Sequence, residues 1–334
     1  MPLLEVTDRG IYCAKGDFFI DPWKPVDKAL ITHAHADHAR WGSSKYLAHQ
    51  DSLPVLRLRL GKDIHVQGID YNKVLTINGV KVSFHPAGHI LGSAQIKVSN
   101  GSESWVVSGD YKLENDGIST PFEPVKCTHF ITESTFGLPV YQWEDQSTIF
   151  ADLNNWWQRN QEAGKTSVLF AYALGKAQRL INGLDPNLGK VYVHGAVWNI
   201  IEACKEQYDF DIKVHPITKE TPKQAFQHQM IVAPPSAMGS PWMRKFQPYN
   251  TAIASGWMAV RGQKRRRAVD KGFIMSDHAD WIGLLTAIKA TEAQNIYVTH
   301  GYSHIFSRYL NESGYNAQVL ETLFEGENID QQGD

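Results

Sequence analysis

Thr32-His33-Ala34-His35-Ala36-Asp37-His38 follows directly on the apolar run Ala29-Leu30-Ile31 and sets three imidazoles and a carboxylate within six positions. Imidazole nitrogen and carboxylate oxygen are donors that suit zinc, and no cysteine lies nearby to build a closed thiolate site. The stretch therefore reads as half of a working two-metal hydrolytic centre. A chain that leaves a strand at Thr32 and runs on extended turns side chains two apart to one side, which lets His33 and His35 grip one ion. Asp37 and His38 sit further round the turn, within reach of a second ion, and the small Ala34 and Ala36 leave room for both. With 14 histidines in 334 residues, such a grouping is too dense to be scatter.

Four side chains cannot saturate two ions, so further donors must come from elsewhere. Candidates are His89 in Ala87-Gly88-His89-Ile90-Leu91-Gly92, Asp110 in Val107-Ser108-Gly109-Asp110-Tyr111, and His300 in Val298-Thr299-His300-Gly301. Each follows a short apolar or β-rich run and stands beside glycine, as loops at the ends of strands do. His85, His129, His194 and His304 carry no comparable spacing and read as ordinary surface or core residues.

This pattern resembles the metallo-β-lactamase superfamily, through His-x-His-x-Asp-His, the later Ala-Gly-His-x-x-Gly-Ser and the Ser-Gly-Asp after a strand. Three more segments resemble the acidic motif A and histidine motifs B and C of its nucleic-acid-processing β-CASP branch. In order they are Thr132-Glu133-Ser134-Thr135-Phe136-Gly137, Ser276-Asp277-His278-Ala279-Asp280 and Thr299-His300-Gly301. The resemblance spans residues from about 20 to about 305. Ile20-Asp21-Pro22-Trp23, Gln263-Lys264-Arg265-Arg266-Arg267 and the modest length look most like bacterial ligase-associated DNA exonucleases. Gly88 to Ala94 and Ala173-Leu174-Gly175-Lys176-Ala177-Gln178 look equally like the messenger-RNA cleavage factors of the same family.

The resemblance implies an α/β fold, a metallo-β-lactamase αββα sandwich with an inserted β-CASP α/β cap domain. It assigns His33, His35 and His89 to one ion, Asp37, His38 and His300 to the other, and Asp110 to a bridge between them. Two divalent ions roughly 3.5–4 Å apart, zinc first and manganese as the alternative, orient a phosphate and stabilise charge on the attacking and leaving oxygens. Asp21 is expected to hold the histidine-rich turn from behind the ligands. His278 is the candidate to protonate the departing sugar oxygen, with Glu133 orienting it or a ligating imidazole; Asp37 and Asp110 complete the catalytic set. The implied activity is hydrolysis of DNA phosphodiester bonds, as a 5′-to-3′ exonuclease in DNA repair on single-stranded or end-containing DNA, beside a DNA ligase and a helicase. An RNA-processing β-CASP ribonuclease is the alternative, and a small-molecule metallohydrolase the second alternative.

Composition fits this reading. Hydrophobic content of 43% with 20% charged residues describes a globular protein, and a net charge of −2 requires any polyanion to be held by a local patch. The densest basic run is Lys264-Arg265-Arg266-Arg267, preceded by Arg261, which suits a nucleic-acid backbone. Lys176, at the start of a predicted helix after Gly175, suits a phosphate, and Trp242 and Trp257 are candidates to stack on bases. Cys13, Cys127 and Cys204 are far apart and odd in number, which reads as reduced and cytoplasmic. No apolar run reaches the roughly 20 residues that cross a bilayer, so no membrane partner is expected.

Short β-like runs fill the chain to about residue 135: Phe18–Ile20, Ala29–Thr32, Val80–Phe84, Ala94–Val98, Trp105–Ser108 and Phe130–Thr132, with a helix over Asp51–Leu60. Helices over Asp145–Ala163, Lys176–Asn182 and Val197–Tyr208 then alternate with strands over Ser167–Ala171 and Val191–His194, which predicts a parallel α/β block. The expected organisation is a metallo-β-lactamase domain over residues 1–140, a β-CASP cap over 141–267, and a return to the first domain over 268–334.

Overall fold

A computed structural model of the chain describes residues 2–260 and 269–324. The described chain divides into two compact units, one from residues 2–142 and 278–324, the other from residues 143–260 and 269–277.

The first unit opens with β1 (Glu5–Thr7), β2 (Gly10–Cys13), β3 (Phe18–Ile20), β4 (Lys28–Leu30), β5 (Lys45–His49) and β6 (Val66–Ile69), which form one sheet in that order. Helix α1 (Leu53–Leu60) joins β5 to β6 and carries Pro54 in its first turn, where a missing N–H costs nothing. The chain continues through β7 (Val74–Ile77), β8 (Val80–Pro86), β9 (Ala94–Ser99), β10 (Ser104–Val107) and β11 (His129–Thr132).

The second unit contains α2 (Gln146–Glu162), β12 (Thr166–Phe170), α3 (Lys176–Asn182), β13 (Val191–Val193), α4 (Gly195–Ala203), β14 (Val214–Pro216), β15 (Met230–Ala233), β16 (Tyr249–Ala254) and β17 (Lys271–Phe273). Its sheet runs β14-β13-β15-β12-β16-β17, and every pairing is parallel. Both faces are covered. Leu169, Val191, Val193 and Val232 pack with Leu153, Trp157, Leu180 and Val197 of the helices, while Val168, Phe170 and Ile231 pack with Phe226, Phe246 and Met258. Burial on two sides explains why Val168-Leu169-Phe170-Ala171 is an unbroken apolar run rather than an alternating one. The helix expected to reach Tyr208 stops at Ala203, because Gln207 N–H turns back on the Cys204 carbonyl in a tight turn.

The chain then returns to the first unit through α5 (Trp281–Thr291), β18 (Asn295–Val298), α6 (Ser303–Glu312) and β19 (Ala317–Val319). The second sheet of that unit is ordered β19-β18-β11-β10-β9-β8-β7. Alternation along its strands makes two cores. Val82, Phe84, Ile96, Val98, Trp105 and Val107 meet Ile11, Phe18, Ile20 and Leu30 of the first sheet. Val106, Phe130, Ile296 and Val298 face the other way, onto Trp281, Leu284, Ile288 and Phe306 of the two helices. Each such aliphatic side chain contributes about 1.5–3 kcal/mol by leaving water.

Strand direction positions the site. β8 and β10 both run antiparallel to β9, and β10, β11 and β18 are mutually parallel neighbours. All four therefore end at the same edge of the sheet, and the loops that leave there carry His89, Asp110, Glu133 and His300. The first sheet brings its own loop to that edge, since Ala94 N–H donates to the Thr32 carbonyl at 2.8 Å.

Candidate metal centre

The register of β3 and β4 pairs Ile20 with Leu30, which sets Asp21 beside the exit of β4. Asp21 is fully buried, and its N–H donates to the Leu30 carbonyl at 2.9 Å from a left-handed backbone (φ 43°) that aspartate tolerates better than most residues. Three donors face its carboxylate: Thr32 N–H at 2.8 Å, the Thr32 hydroxyl, and His38 Nδ1 at 2.8 Å. Three donors and no acceptor is the environment of the ionised form. Asp21 thus holds both ends of the histidine-rich turn and leaves the Nε2 atom of His38 pointing elsewhere.

Asp110 is the centre of the ligand cluster. Its Oδ2 lies 3.4 Å from His33 Nε2, 3.6 Å from His38 Nε2 and 3.8 Å from His89 Nε2, and its Oδ1 lies 3.2 Å from His300 Nε2. His89 Nε2 and His35 Nδ1 are 3.1 Å apart, and the donor atoms of His33, His35, His89 and Asp110 all lie within 4.8 Å of one another. Asp37 Oδ2 is 3.6 Å from His38 Nε2. Two donors each 2.0–2.1 Å from one zinc at the tetrahedral angle stand about 3.3 Å apart, so these spacings suit shared ions. His33 Nε2 and His38 Nε2 are buried without any hydrogen bond, a state that is costly unless an ion takes the lone pair. The residues present fit a pair of divalent cations.

Gly109 is required for this approach. Its φ is +57°, and a Cβ there would sit 2.6 Å from Thr32 Oγ1 and 2.7 Å from Thr32 Cβ. No other residue lets the Asp110 loop lie against the histidine-rich turn.

The protonation pattern follows from burial and charge. Burial, then the neighbouring His38 charge, holds His33 well below the usual imidazole range, so it is neutral. Burial would also lower His38, but the charges of Asp37 and Asp110 and the Asp21 bond outweigh it and carry this imidazole up to about 10. Burial pushes Asp110 upward and is overcome by the His38 and His278 charges and by the His300 bond, leaving its carboxyl well below the ordinary range. Burial raises Asp21 against the opposing pull of His38 and Thr32. Without ions, a proton on His38 serves as the counter-charge among the carboxylates.

Beside this cluster, His278 Nδ1 lies 2.8 Å from Glu133 Oε2, and Glu133 Oε1 accepts the Tyr111 N–H at 2.8 Å. Glu133 thus joins His278 to the backbone of Tyr111. The His278 ring stands 4.7 Å from that of His89, and Asp110, Glu133 and His278 also bring donor atoms within 4.8 Å.

Other expected residues fall differently. Lys176 is only 1% exposed, with its ammonium 3.4 Å from Asp277, so it is turned inward rather than presented to solvent. Arg261, Lys264, Arg265, Arg266 and Arg267 lie outside the described residues. Trp242 packs edge-on against His194 and Phe246, with the Lys245 ammonium over its ring, and Trp257 packs beside the same core. His85 bonds Ser83, His129 stacks on Trp105 and His194 caps α4.

Sequence reading missed several contributors. Phe324, from the far end of the chain, stacks on His38 at 4.4 Å and 11° and meets Trp23 edge-on. Ser134 donates to the Thr299 and His300 carbonyls, tying the loop after β11 to the loop after β18. Thr32 and Thr299 touch the ring nitrogens of the histidines that follow them. Of these only the repeated Thr-His pair left a signal in the sequence.

No family model matches the chain. It is 29% identical over 323 residues to a probable DNA ligase of Opitutus terrae, covering 96% of this chain and 31% of that protein. It is 26% identical over 297 residues to the endoribonuclease ysh1 of Aspergillus fumigatus, covering 72% of this chain and 33% of that protein. It is 26% identical over 324 residues to the transcription termination factor FttA of Methanosarcina mazei, covering 75% of this chain and 50% of that protein. The chain thus spans about a third to a half of the length of these relatives. In structure it resembles a protein of unknown function from Enterococcus faecalis V583, with a TM-score of 0.63, 12% identity, and coverage of 89% of this chain and 80% of that one, a likeness of fold.

A buried histidine and aspartate cluster at the strand ends of a mixed α/β fold, together with these relatives, supports a place in the metallo-β-lactamase superfamily. Within that superfamily the same relatives support the β-CASP branch.

Proposed function

We propose that this chain is a two-metal phosphodiesterase that degrades DNA from an end, in the 5′-to-3′ direction, as part of DNA repair. The observation that carries the reading is Asp110, whose two carboxylate oxygens stand 3.2–3.8 Å from four imidazole nitrogens brought from three separate parts of the chain. In this reading the first unit is the αββα sandwich of the superfamily, over residues 1–140 and 268–334, and the second is the β-CASP cap, over 141–267. His33, His35 and His89 would hold one ion and Asp37, His38 and His300 the other, with Asp110 shared between them. Zinc suits the donors best, with manganese second. When bound, such a pair supplies Lewis acidity and charge neutralisation toward a phosphodiester.

The chain's own residues do the rest. Asp21 orients the histidine-rich turn. His278 gives a proton to the departing sugar oxygen, and the Glu133 carboxylate, 2.8 Å from Nδ1, aligns the ring and offsets the charge it carries beforehand. Lys264 to Arg267, with Arg261, track the nucleic-acid backbone in this reading. No helix among the described residues is long and apolar enough to cross a membrane.

DNA is preferred because the similarity to the probable DNA ligase extends over 96% of this chain, which suggests a nuclease that prepares ends for joining, with a ligase and a helicase as partners. Similarity to endoribonucleases over 72% of the chain favours RNA as the second reading. Digestion of matched end-labelled DNA and RNA strands, each end blocked in turn, separates them; RNA turnover far above DNA turnover defeats the DNA reading. Asp110→Asn or His35→Ala is expected to abolish cleavage while DNA binding persists, and unchanged cleavage refutes the metal assignment.

A further inference from the structure

Two of the candidate ligands, His33 and His300, are each preceded by threonine, and the two threonines are placed alike. Thr32 Oγ1 lies 3.1 Å from His33 Nδ1, and Thr299 Oγ1 lies 3.0 Å from His300 Nδ1. A hydroxyl has one proton to give, so its other contacts decide which partner it serves. Thr32 Oγ1 also contacts Asp21 Oδ2, and an ionised carboxylate only accepts. Thr299 Oγ1 also contacts the Thr132 carbonyl oxygen at 3.2 Å, and a carbonyl only accepts. In each case the single proton goes to that acceptor, and the oxygen is left to accept from the ring. Nδ1 must then carry a hydrogen, and Nε2 is the nitrogen left to face a cation.

The consequence is visible at the other nitrogen. His33 Nε2 is a buried atom with no hydrogen bond, 3.4 Å from Asp110 Oδ2, and His300 Nε2 lies 3.2 Å from Asp110 Oδ1. Both Nε2 atoms face the Asp110 carboxylate, one toward each of its oxygens, and His300 Nε2 is within hydrogen-bond distance of Oδ1, an acceptor whose place a cation can take. A histidine can bind a cation through only the nitrogen that lacks a hydrogen, and the hydrogen bond on the other nitrogen sets which one that is. The opposite tautomer would aim an N–H at the ion.

We propose that Thr32 and Thr299 are paired positioning residues, one for each cation, whose hydroxyls fix His33 and His300 in the Nδ1–H tautomer and so present Nε2 to the metal. The two differ in where they discard the proton. Thr32 is tied to Asp21, which also takes His38 Nδ1, so its relay is shared within the histidine-rich turn. Thr299 is tied to main chain of β11, whose next residue is Glu133 and whose Ser134 holds the His300 carbonyl. His300 is thereby fixed by backbone that also carries the partner of His278. Replacement of Thr299 by valine keeps shape and β-branching and removes the hydroxyl, both the acceptor for Nδ1 and the donor to Thr132, while the Thr132 carbonyl keeps its bond from Thr299 N–H at 2.8 Å.

The inference rests on the two-cation reading above, and its test separates the two. Metal-stripped wild type, Thr299→Val and Thr299→Ser are titrated with zinc alone, and their histidine tautomers are read by long-range proton–nitrogen correlation spectra. Expected are two zinc ions in the wild type. In Thr299→Val one is weakened by about 10–100-fold and the other left within about threefold; Thr299→Ser returns to wild-type affinity. His33 and His300 should show Nδ1–H in the wild type, and only His300 should lose it in the ion-free valine variant. Two sites of unchanged affinity in Thr299→Val, a serine variant no better than valine, or a wild-type ring without Nδ1–H overturns the proposal. A wild type that binds no zinc sinks the two-cation reading instead, and the tautomer spectrum still decides the threonines' role. The wild-type spectrum also decides it should the valine variant fail to fold.

Discussion

Asp21→Asn is the most informative single change, because one carboxylate sets proton directions on two sides of the site. Two of its three incoming bonds, from the Thr32 hydroxyl and His38 Nδ1, converge on Oδ2. In asparagine that position becomes an NH2 group facing two donors while the remaining oxygen keeps the Thr32 N–H. Relief requires the Thr32 hydroxyl to reverse and His38 to give up its Nδ1 hydrogen and keep the one on Nε2, and the reversed hydroxyl then turns His33 over as well. One ligand in each half of the cluster is lost. An outer-shell partner is worth about 10–100-fold in metal affinity, or about 1.4–2.7 kcal/mol, so both ions should weaken by that factor, unlike the one-ion loss expected for Thr299→Val.

The ion-free fold should suffer too. Bonds to a charged group contribute about 1.5–3 kcal/mol each, and two are reversed. Removing a carboxylate whose burial already raises its pKa returns part of that, for a net loss of about 3 kcal/mol. For a unit of this size the melting temperature should fall by roughly 6–12 °C. Competition against a chromophoric chelator measures the affinities, and a thermal melt of the stripped protein measures the rest. An Asp21→Asn protein that keeps both ions at wild-type affinity and melts unchanged would refute the reasoning.

The other expectations are simpler. His278→Ala should lower turnover by about 10²–10⁴-fold, and Glu133→Gln by a smaller factor, with bound metal unchanged by elemental analysis; loss of metal in either would place these residues among the ligands. Gly109→Ala should destabilise the first unit by about 2–3 kcal/mol in a denaturant melt, since it adds left-handed strain to a clash with Thr32, and a neutral result would discount the close approach. His38 is raised in the ion-free fold to about 10 from an unfolded value near 6.5, so its contribution is fully present below about pH 6.5 and is lost as pH rises through about 10. Stripped protein should therefore melt progressively lower across that window and zinc-loaded protein should not; a flat profile for the stripped form would contradict the charge assigned to His38.

Local chemistry was legible from residue types and spacing. Thr32 to His38 offered imidazoles and a carboxylate of donor type, glycine-flanked His89, Asp110 and His300 offered more that the fold gathers with them, and the alternation in Val80 to Phe84 or the unbroken run Val168 to Ala171 announced strands of different burial. These signals depend on neighbours in sequence, which a chain fixes before it folds. Short β5 and β6 escaped notice because Lys45 to His49 has no clear period and Gly68 interrupts Val66 to Ile69. That glycine is needed where Gln50 Cα and Leu53 Cδ1 approach to 3.3 and 3.0 Å of a would-be Cβ.

What folding alone decided is which groups meet. Asp110 stands among four imidazoles because β8, β10, β11 and β18 end at one sheet edge, where the loop after β4 also arrives, bringing together side chains as many as 190 positions apart. Phe324 on His38, Glu133 on His278, and the inward turn of Lys176 toward Asp277 leave no mark in sequence spacing. The donors themselves were written in the chain. Their protonation, from a neutral His33 to a charged His38, depends on burial and on charges a few ångströms away, and those exist only once distant segments pack together.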